Sequence, residues 1–127
     1  MTHGTATIGR DRYATSIEVS GFEILADEPA KLGGAGAGPA PYDLLLASLG
    51  ACTAITLRMY ADRKEWPLDS VTVTLRLTGG SEDRRIERTI APVGVDGEQA
   101  ARLADIAERT PVTLTLKAGL PIHTQLA

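Results

Sequence analysis

"LGGAGAGPAPYDLLLASLGACTAITLRMYADRKEWPL", residues 32–68, sets how the rest of the chain is read. It opens on glycines and on Pro39 and Pro41, which interrupt regular structure. From about Tyr42 to Lys64 it turns to Leu, Ala, Arg and Met with no internal proline, which predicts a helix. Pro41 suits the first helical turn, and Pro67 closes the segment. No charged residue occurs between Leu44 and Leu57, so this half lacks a polar face and is expected to be covered on most sides, as a buried central helix. Arg58, Asp62, Arg63 and Lys64 bring the other end into solvent, the last two suiting the negative end of the helix dipole. The only cysteine, Cys52, sits in the apolar half.

Working outward, residues 5–27 alternate Ile17, Val19 and then Phe22, Ile24, with breaks at Gly9 and Ser20-Gly21, which reads as strands joined by tight turns. Residues 27–41, "DEPAKLGGAGAGPAP", read as a loop without regular structure, long for so small a chain. Val71, Val73, Leu75 and Leu77 alternate with Thr72, Thr74, Arg76 and Thr78, the pattern of a half-buried strand, and "RRIERTIAPV" (84–93) reads as its hairpin partner. Asp96 with Gln99 forms a capping box ahead of Ala100, Leu103, Ala104 and Ala107, predicting an amphipathic helix that Pro111 ends. "VTLTLKAGLPIHTQ" (112–125) reads as an alternating strand, with another after Gly119. This order predicts an α+β fold, an antiparallel sheet packed on two main helices.

The 127 residues suit a single domain, 1–127. Aliphatic residues are plentiful and aromatics few, so the core is expected to be built from Ala, Leu, Val and Ile, and dimerisation would help so small a domain. With a net charge of −3 and interspersed charges, no basic footprint for nucleic acid or an anionic membrane is present. No apolar leader is visible, and no run of about 18 uncharged apolar residues suggests a membrane span. A single cysteine rules out an intramolecular disulfide, and a cytoplasmic protein is expected.

Gly34, Gly36 and Gly38 superficially suggest a phosphate loop, but the sequence continues Gly-Pro-Ala-Pro where a Gly-Lys-Ser/Thr ending is needed. A close approach of backbone to backbone explains the glycines without a nucleotide. His3 and His123 lie far apart with no cluster at ligand spacing, so neither a metal nor another cofactor is expected. Ser48 lacks a nucleophile-elbow motif and reads as a packing residue. Cys52 has two readings. A free cysteine packs as a small hydrophobe in an Ala/Leu helix. A reactive thiolate, in contrast, needs a nearby cation, and Arg58, six positions on, lies on a different face.

"GGAGAGPAPYDLLLASLGACTA" (33–54) closely resembles the signature of the OsmC/Ohr proteins, thiol-dependent hydroperoxide reductases. "AERTPVTLTL" (107–116) is similar to that family's Cys-Pro-Val motif and following strand, and "DEPAKLGG" and "KEWPL" extend the likeness over nearly the whole chain. The resemblance implies an intertwined homodimer with a buried central helix and active sites at the subunit interface. It places Cys52 at the peroxidatic position and implies Arg10 as the guanidinium that supports the thiolate, with Arg12 as the other choice. Two positions depart from the pattern: Thr110 stands where the resolving cysteine would be, and Tyr42 replaces the glutamate that opens the helix. Asp43 follows it, about 100° round the helix.

Together these readings suggest a peroxidase that reduces small organic hydroperoxides by a one-cysteine route through Cys52 with an external thiol reductant. Tyr42, Thr110 and Leu49 are expected in the substrate pocket, with Leu45, Leu46 and Ile55 as further apolar lining. The alternative is a non-catalytic OsmC-like dimer that binds an apolar small molecule at the subunit interface.

Overall fold

A computed structural model describes residues 2–127. The chain falls into two compact units, one up to Leu45 and one from Leu46 to Ala127. In the first, strands β1 (Gly4–Thr7), β2 (Thr15–Val19) and β3 (Phe22–Ala26) form an antiparallel meander in the order β1-β2-β3. Val19 pairs with Phe22 across a two-residue turn in which Ser20 and Gly21 both have positive φ, 51° and 86°. That backbone twist matches the right-handed twist of the flanking strands, so the break foreseen at Ser20-Gly21 is a hairpin turn.

After β3, the glycine-rich segment wraps around one buried carboxylate. Asp27 is 2% exposed and accepts the backbone N–H groups of Glu28 at 2.7 Å, Ala35 at 3.2 Å and Ala37 at 3.1 Å. These bonds, led by the one from Ala37, hold its carboxyl below the ordinary aspartate value against the opposing effect of burial. A Cβ on Gly34 would lie 2.0 Å from the Glu28 carbonyl oxygen, and one on Gly38 2.0 Å from that of Leu25. Only glycine permits such closeness, as the backbone-approach reading anticipated. The segment is less irregular than expected, since Ala30–Leu32 make a turn of 3-10 helix.

Helix α1 (Pro41–Arg63) runs from the first unit into the second, with Pro41 opening it. Within the second unit it meets an antiparallel hairpin of β4 (Ser70–Thr78) and β5 (Arg85–Val93), then α2 (Gly97–Ala107) and α3 (Pro111–Ala118). Leu57 and Ala61 of α1, Leu68 from the connection before β4, and Leu103 of α2 form the core, with Val71 of β4, Ile90 of β5, Val95 and Ile106 packed against them. Asp96 and Gln99 make the expected capping box on α2, its two bonds 2.8 and 3.1 Å long. The fold is therefore α+β, and the described residues form two antiparallel sheets and three α-helices where one sheet and two main helices were expected.

Three expectations are corrected. Residues 111–118 are helix and not strand, because Pro111 occupies the first helical turn and the buried member of the alternation is polar Thr113, while Leu114 and Leu116 are exposed. No strand follows Gly119 either, and Leu120, Ile122 and Leu126 are exposed. Helix α1 buries Leu49, Thr53, Leu57 and Ala61 at four-residue spacing, but Ile55 and Met59 remain more than half exposed, so a single chain covers only one side of it. By length and composition α1 would also pass for a membrane span, with a mean hydropathy of 1.5. A search for wholly uncharged runs misses this, and packing on the hairpin and α2 gives the same apolar composition a place in a protein core.

Leu57 is fully buried in this core. Leu57→Ala is expected to cost about 2–5 kcal/mol of unfolding free energy, read from denaturant midpoints. A loss below half of the lower figure would mean that the cluster is not the stabilising centre. A carboxyl with a lowered folded pKa contributes stability above its unfolded pKa and loses it as pH falls through the folded value. The amide resonances of Ala35 and Ala37 should accordingly hold constant from neutral pH through the ordinary aspartate range and move only at more acid pH. Asp27→Asn, which presents an NH2 to one side of the N–H cradle, should move both at neutral pH. Resonances that do not respond to either change would dismiss the carboxylate as the loop's organiser.

Candidate functional site

Cys52 is half-buried on α1, neither enclosed nor open. Its Sγ accepts the backbone N–H of Val112 at 3.4 Å, and the Thr56 hydroxyl lies 4.0 Å away. Val112 belongs to the first turn of α3, where the N–H groups have no partner within the helix. Pro111 has no N–H to offer, so the amide of Val112 is the first donor of the helix, and it is aimed at sulfur.

The residues next to Cys52 and Val112 in sequence, Thr53 and Thr113, belong to a polar cluster. Arg88 stands on β5 opposite Leu75 of β4, at an inward-facing position between Ile86 and Ile90, and its side chain is only 10% exposed. Its Nη1 donates to the hydroxyls of Thr53 at 3.0 Å and Thr113 at 2.8 Å. Its Nη2 donates to the Ala107 carbonyl at 2.8 Å and to Glu108 Oε2 at 3.2 Å. Thr53 spends its own proton on the Leu49 carbonyl at 2.7 Å, so it meets Arg88 as an acceptor. Thr113 reaches the Ala107 carbonyl at 3.3 Å and lies 2.6 Å from the Thr110 hydroxyl. With Thr113 donating to Ala107, Thr110 donates to Thr113, and the two lone pairs of Thr113 take Arg88 and Thr110.

The outer rim of this cluster is charged. Glu108 accepts from Lys117 Nζ at 3.2 Å as well as from Arg88. The Lys117 hydrogen bond and charge, followed by those of Arg88, hold the Glu108 carboxyl below its usual value against partial burial. Arg58, excluded above as a partner for Cys52, donates to Asp62 at 2.9 Å and to the Leu68 carbonyl at 2.7 Å.

The residues singled out in the sequence are distributed as follows. Cys52 and Thr110 both lie in the second unit at this cluster, but Thr110 is fully buried and its hydroxyl is engaged with Thr113. Leu49 is 5% exposed and packs inside, whereas Ile55, six residues on and about 120° round the helix, is exposed, so one helix face cannot present both. Tyr42 lies in the first turn of α1 and is half exposed. Arg10 is exposed in the connection between β1 and β2; its neighbour Arg12 has a left-handed backbone, φ 53°, and donates to the Gly33 carbonyl at 3.0 Å. His3 and His123 are exposed, and among the described residues no group of three or more His, Cys, Asp or Glu side chains is placed to hold a metal.

The sequence reading missed the partners of Cys52 and the cluster around Arg88, and the Asp27 carboxylate as well. Arg88 had a visible signal, a charge on the inward phase of a period-2 strand, Ile86-Arg88-Ile90. Asp27 had none, because a buried aspartate ahead of a glycine loop looks like any loop residue.

Comparison with known proteins follows the same outline. The family described as OsmC-like protein matches residues 33–125. An osmotic stress induced and detoxification response protein from Psychrobacter arcticus superposes with a TM-score of 0.76 at 25% identity, over 95% of this chain and 90% of its own. The organic hydroperoxide resistance protein OsmC of Legionella pneumophila gives 0.66 at 23% identity, over 92% and 89%. An organic hydroperoxide resistance protein from Vibrio cholerae, with captopril bound in one of its active sites, gives 0.69 at 21% identity, over 92% and 84%. No curated protein matches the sequence significantly.

Proposed function

The chain belongs to the OsmC-like protein family, and from that premise we propose that it is a thiol-dependent peroxidase that reduces organic hydroperoxides through Cys52 alone, with an external thiol as reductant. The observation that carries the proposal is the half-buried sulfur of Cys52 held on a backbone N–H of α3 beside a buried guanidinium network. The names of the Legionella and Vibrio proteins supply the substrate class.

In this reaction the Cys52 thiolate attacks the terminal oxygen of the hydroperoxide and the O–O bond breaks. The alkoxide takes a proton and leaves as the alcohol, and Cys52 becomes a sulfenic acid. With no second cysteine in the chain, an outside thiol condenses with the sulfenic acid, releasing water and forming a mixed disulfide. A second thiol then displaces Cys52 and leaves as the oxidised disulfide. A reducing compartment supplies such thiols, so the proposal places the protein in the cytoplasm. Arg10 is proposed to support the thiolate on the family resemblance, and Tyr42 to line the substrate pocket.

The assembly proposed is a homodimer. Ile55 and Met59, one turn apart on α1, form an exposed apolar pair, and Leu114 on α3 with Leu120 and Ile122 after it are exposed as well, which supports a second copy as their cover. A second copy covering α1 would also complete the burial that its uncharged sequence calls for.

Brief exposure of the reduced protein to stoichiometric cumene hydroperoxide, with a sulfenic-acid trap present, should label Cys52 rapidly as read by intact mass. Cys52→Ser should show no label and no turnover. Labelling at the rate of free cysteine would sink the peroxidase reading. For the assembly, sedimentation of the wild type should give twice the chain mass, and the Ile55→Asp, Met59→Asp double variant should shift the equilibrium toward single chains by at least tenfold in Kd. A wild-type chain that sediments as a monomer at tens of micromolar would rule the homodimer out.

A further inference from the structure

Helix α3 touches the reactive thiol, yet apolar burial does not explain what fixes it there. Leu114 and Leu116 face outward, 50% and 37% exposed, whereas its buried residue is Thr113. The side-chain hydrogen bonds that tie α3 to the rest of the second unit come from Thr113 and Lys117. Thr113 bonds to Arg88, Thr110 and the Ala107 carbonyl, and Lys117 to Glu108. Arg88 is at the centre of this set, and the same Nη1 that holds Thr113 also holds Thr53, the residue next to Cys52.

We infer that Arg88 is a positioning residue for Cys52: by bridging Thr53 on α1 and Thr113 on α3, it sets the contact between the Val112 amide and the sulfur. Cys52 and Val112 are adjacent in sequence to the two threonines that Arg88 joins. The bridge and the sulfur contact therefore span the same two helices one residue apart. Only a guanidinium fits this role. One nitrogen serves two hydroxyls while the other, in the same plane, serves a carbonyl and a carboxylate. A lysine ammonium at the same position keeps the charge and loses the fork. Removing the fork takes one donor each from the buried Thr53 and Thr113 hydroxyls and from the Ala107 carbonyl and breaks the link between α1 and α3, which favours a shift of one helix relative to the other.

The consequence for reactivity rests on the peroxidase reading above, whereas the contact itself does not. The test uses the full-length protein and records three quantities for the wild type, Arg88→Lys, Arg102→Lys and Cys52→Ala. These are the amide resonance of Val112, the thermal midpoint, and, for the variants that retain the thiol, the second-order rate with cumene hydroperoxide. Cys52→Ala fixes where the Val112 resonance lies without a sulfur acceptor. Arg102, on the exposed surface and bonded to Tyr60 and Asp105, serves as a control for the loss of an arginine.

In Arg88→Lys the Val112 resonance is expected to move toward its position in Cys52→Ala, and the peroxide rate to fall at least tenfold. Arg102→Lys should leave both unchanged. A residue that only stabilises the fold would lower the thermal midpoint and leave the native Val112 resonance where it is, and that result overturns the inference. So does a moved resonance with a peroxide rate within twofold of wild type. Should the wild type react no faster than free cysteine, the peroxidase reading fails, and the Val112 resonance alone decides for or against Arg88. If Arg88→Lys does not fold, Thr53→Val carries the test, since it removes one end of the bridge and keeps the branched shape.

Discussion

The second unit is organised around a charge that is nearly out of water. A guanidinium at an inward position of a β-hairpin is costly unless its donors find partners, and both terminal nitrogens of Arg88 find them in groups from α1, from the C-terminal end of α2, from Glu108 and from α3. The acceptors are two hydroxyls, a carbonyl and one partly exposed carboxylate, so the arrangement is a hydrogen-bond hub with a counterion at its edge rather than a simple buried ion pair. The apolar core of Leu57, Ala61, Leu68 and Leu103 draws α1, the hairpin and α2 together. None of its members belongs to α3, whose side-chain hydrogen bonds go to the hub. No buried side-chain polar atom among the described residues is left without a partner.

The first unit solves a related problem with the opposite charge. A glycine-rich loop loses more conformational entropy on ordering than any other kind of segment, and here the compensation comes from one carboxylate that collects three backbone N–H groups. The glycines are required by geometry at Gly34 and Gly38, where a Cβ would collide with a carbonyl oxygen. The loop that superficially resembles a phosphate cradle is thus already filled by its own anion. That leaves the nucleotide reading without a physical basis, since the N–H groups that a phosphate would need are spent on Asp27.

What was legible in the sequence follows from which signals are local. The α1 helix with its flanking prolines, the Ser20-Gly21 turn, the β4–β5 alternation and the Asp96–Gln99 cap all depend on neighbours within a few residues, and each appears where expected. The 112–116 alternation misleads because Val-Thr-Leu-Thr-Leu has the strand period, while Pro111 just before it opens a helix and the bond from the distant Arg88 goes to Thr113 on its buried side. Cys52 could be found from the sequence, because the apolar helix isolates it. Its partners could not, since the amide that meets the sulfur comes from sixty residues away and a backbone donor leaves no trace in composition. Arg88 lay between these cases: the strand alternation marked it as inward, and nothing local said what it would hold.

Thr110 brings these strands of argument together. At a position where the family resemblance implies a second thiol, this chain has a hydroxyl that is fully buried and committed to Thr113, one bond removed from Arg88. A side chain in that role serves the placement of α3 and has no redox chemistry to offer. Any oxidised form of Cys52 must then be relieved from outside, which requires that the sulfur be reachable by a small thiol. Cys52 is half-buried rather than enclosed, which is compatible with that requirement. The Val112 amide meanwhile holds the sulfur from α3, so the contact that fixes the thiol comes from the same helix that Thr110 helps to place.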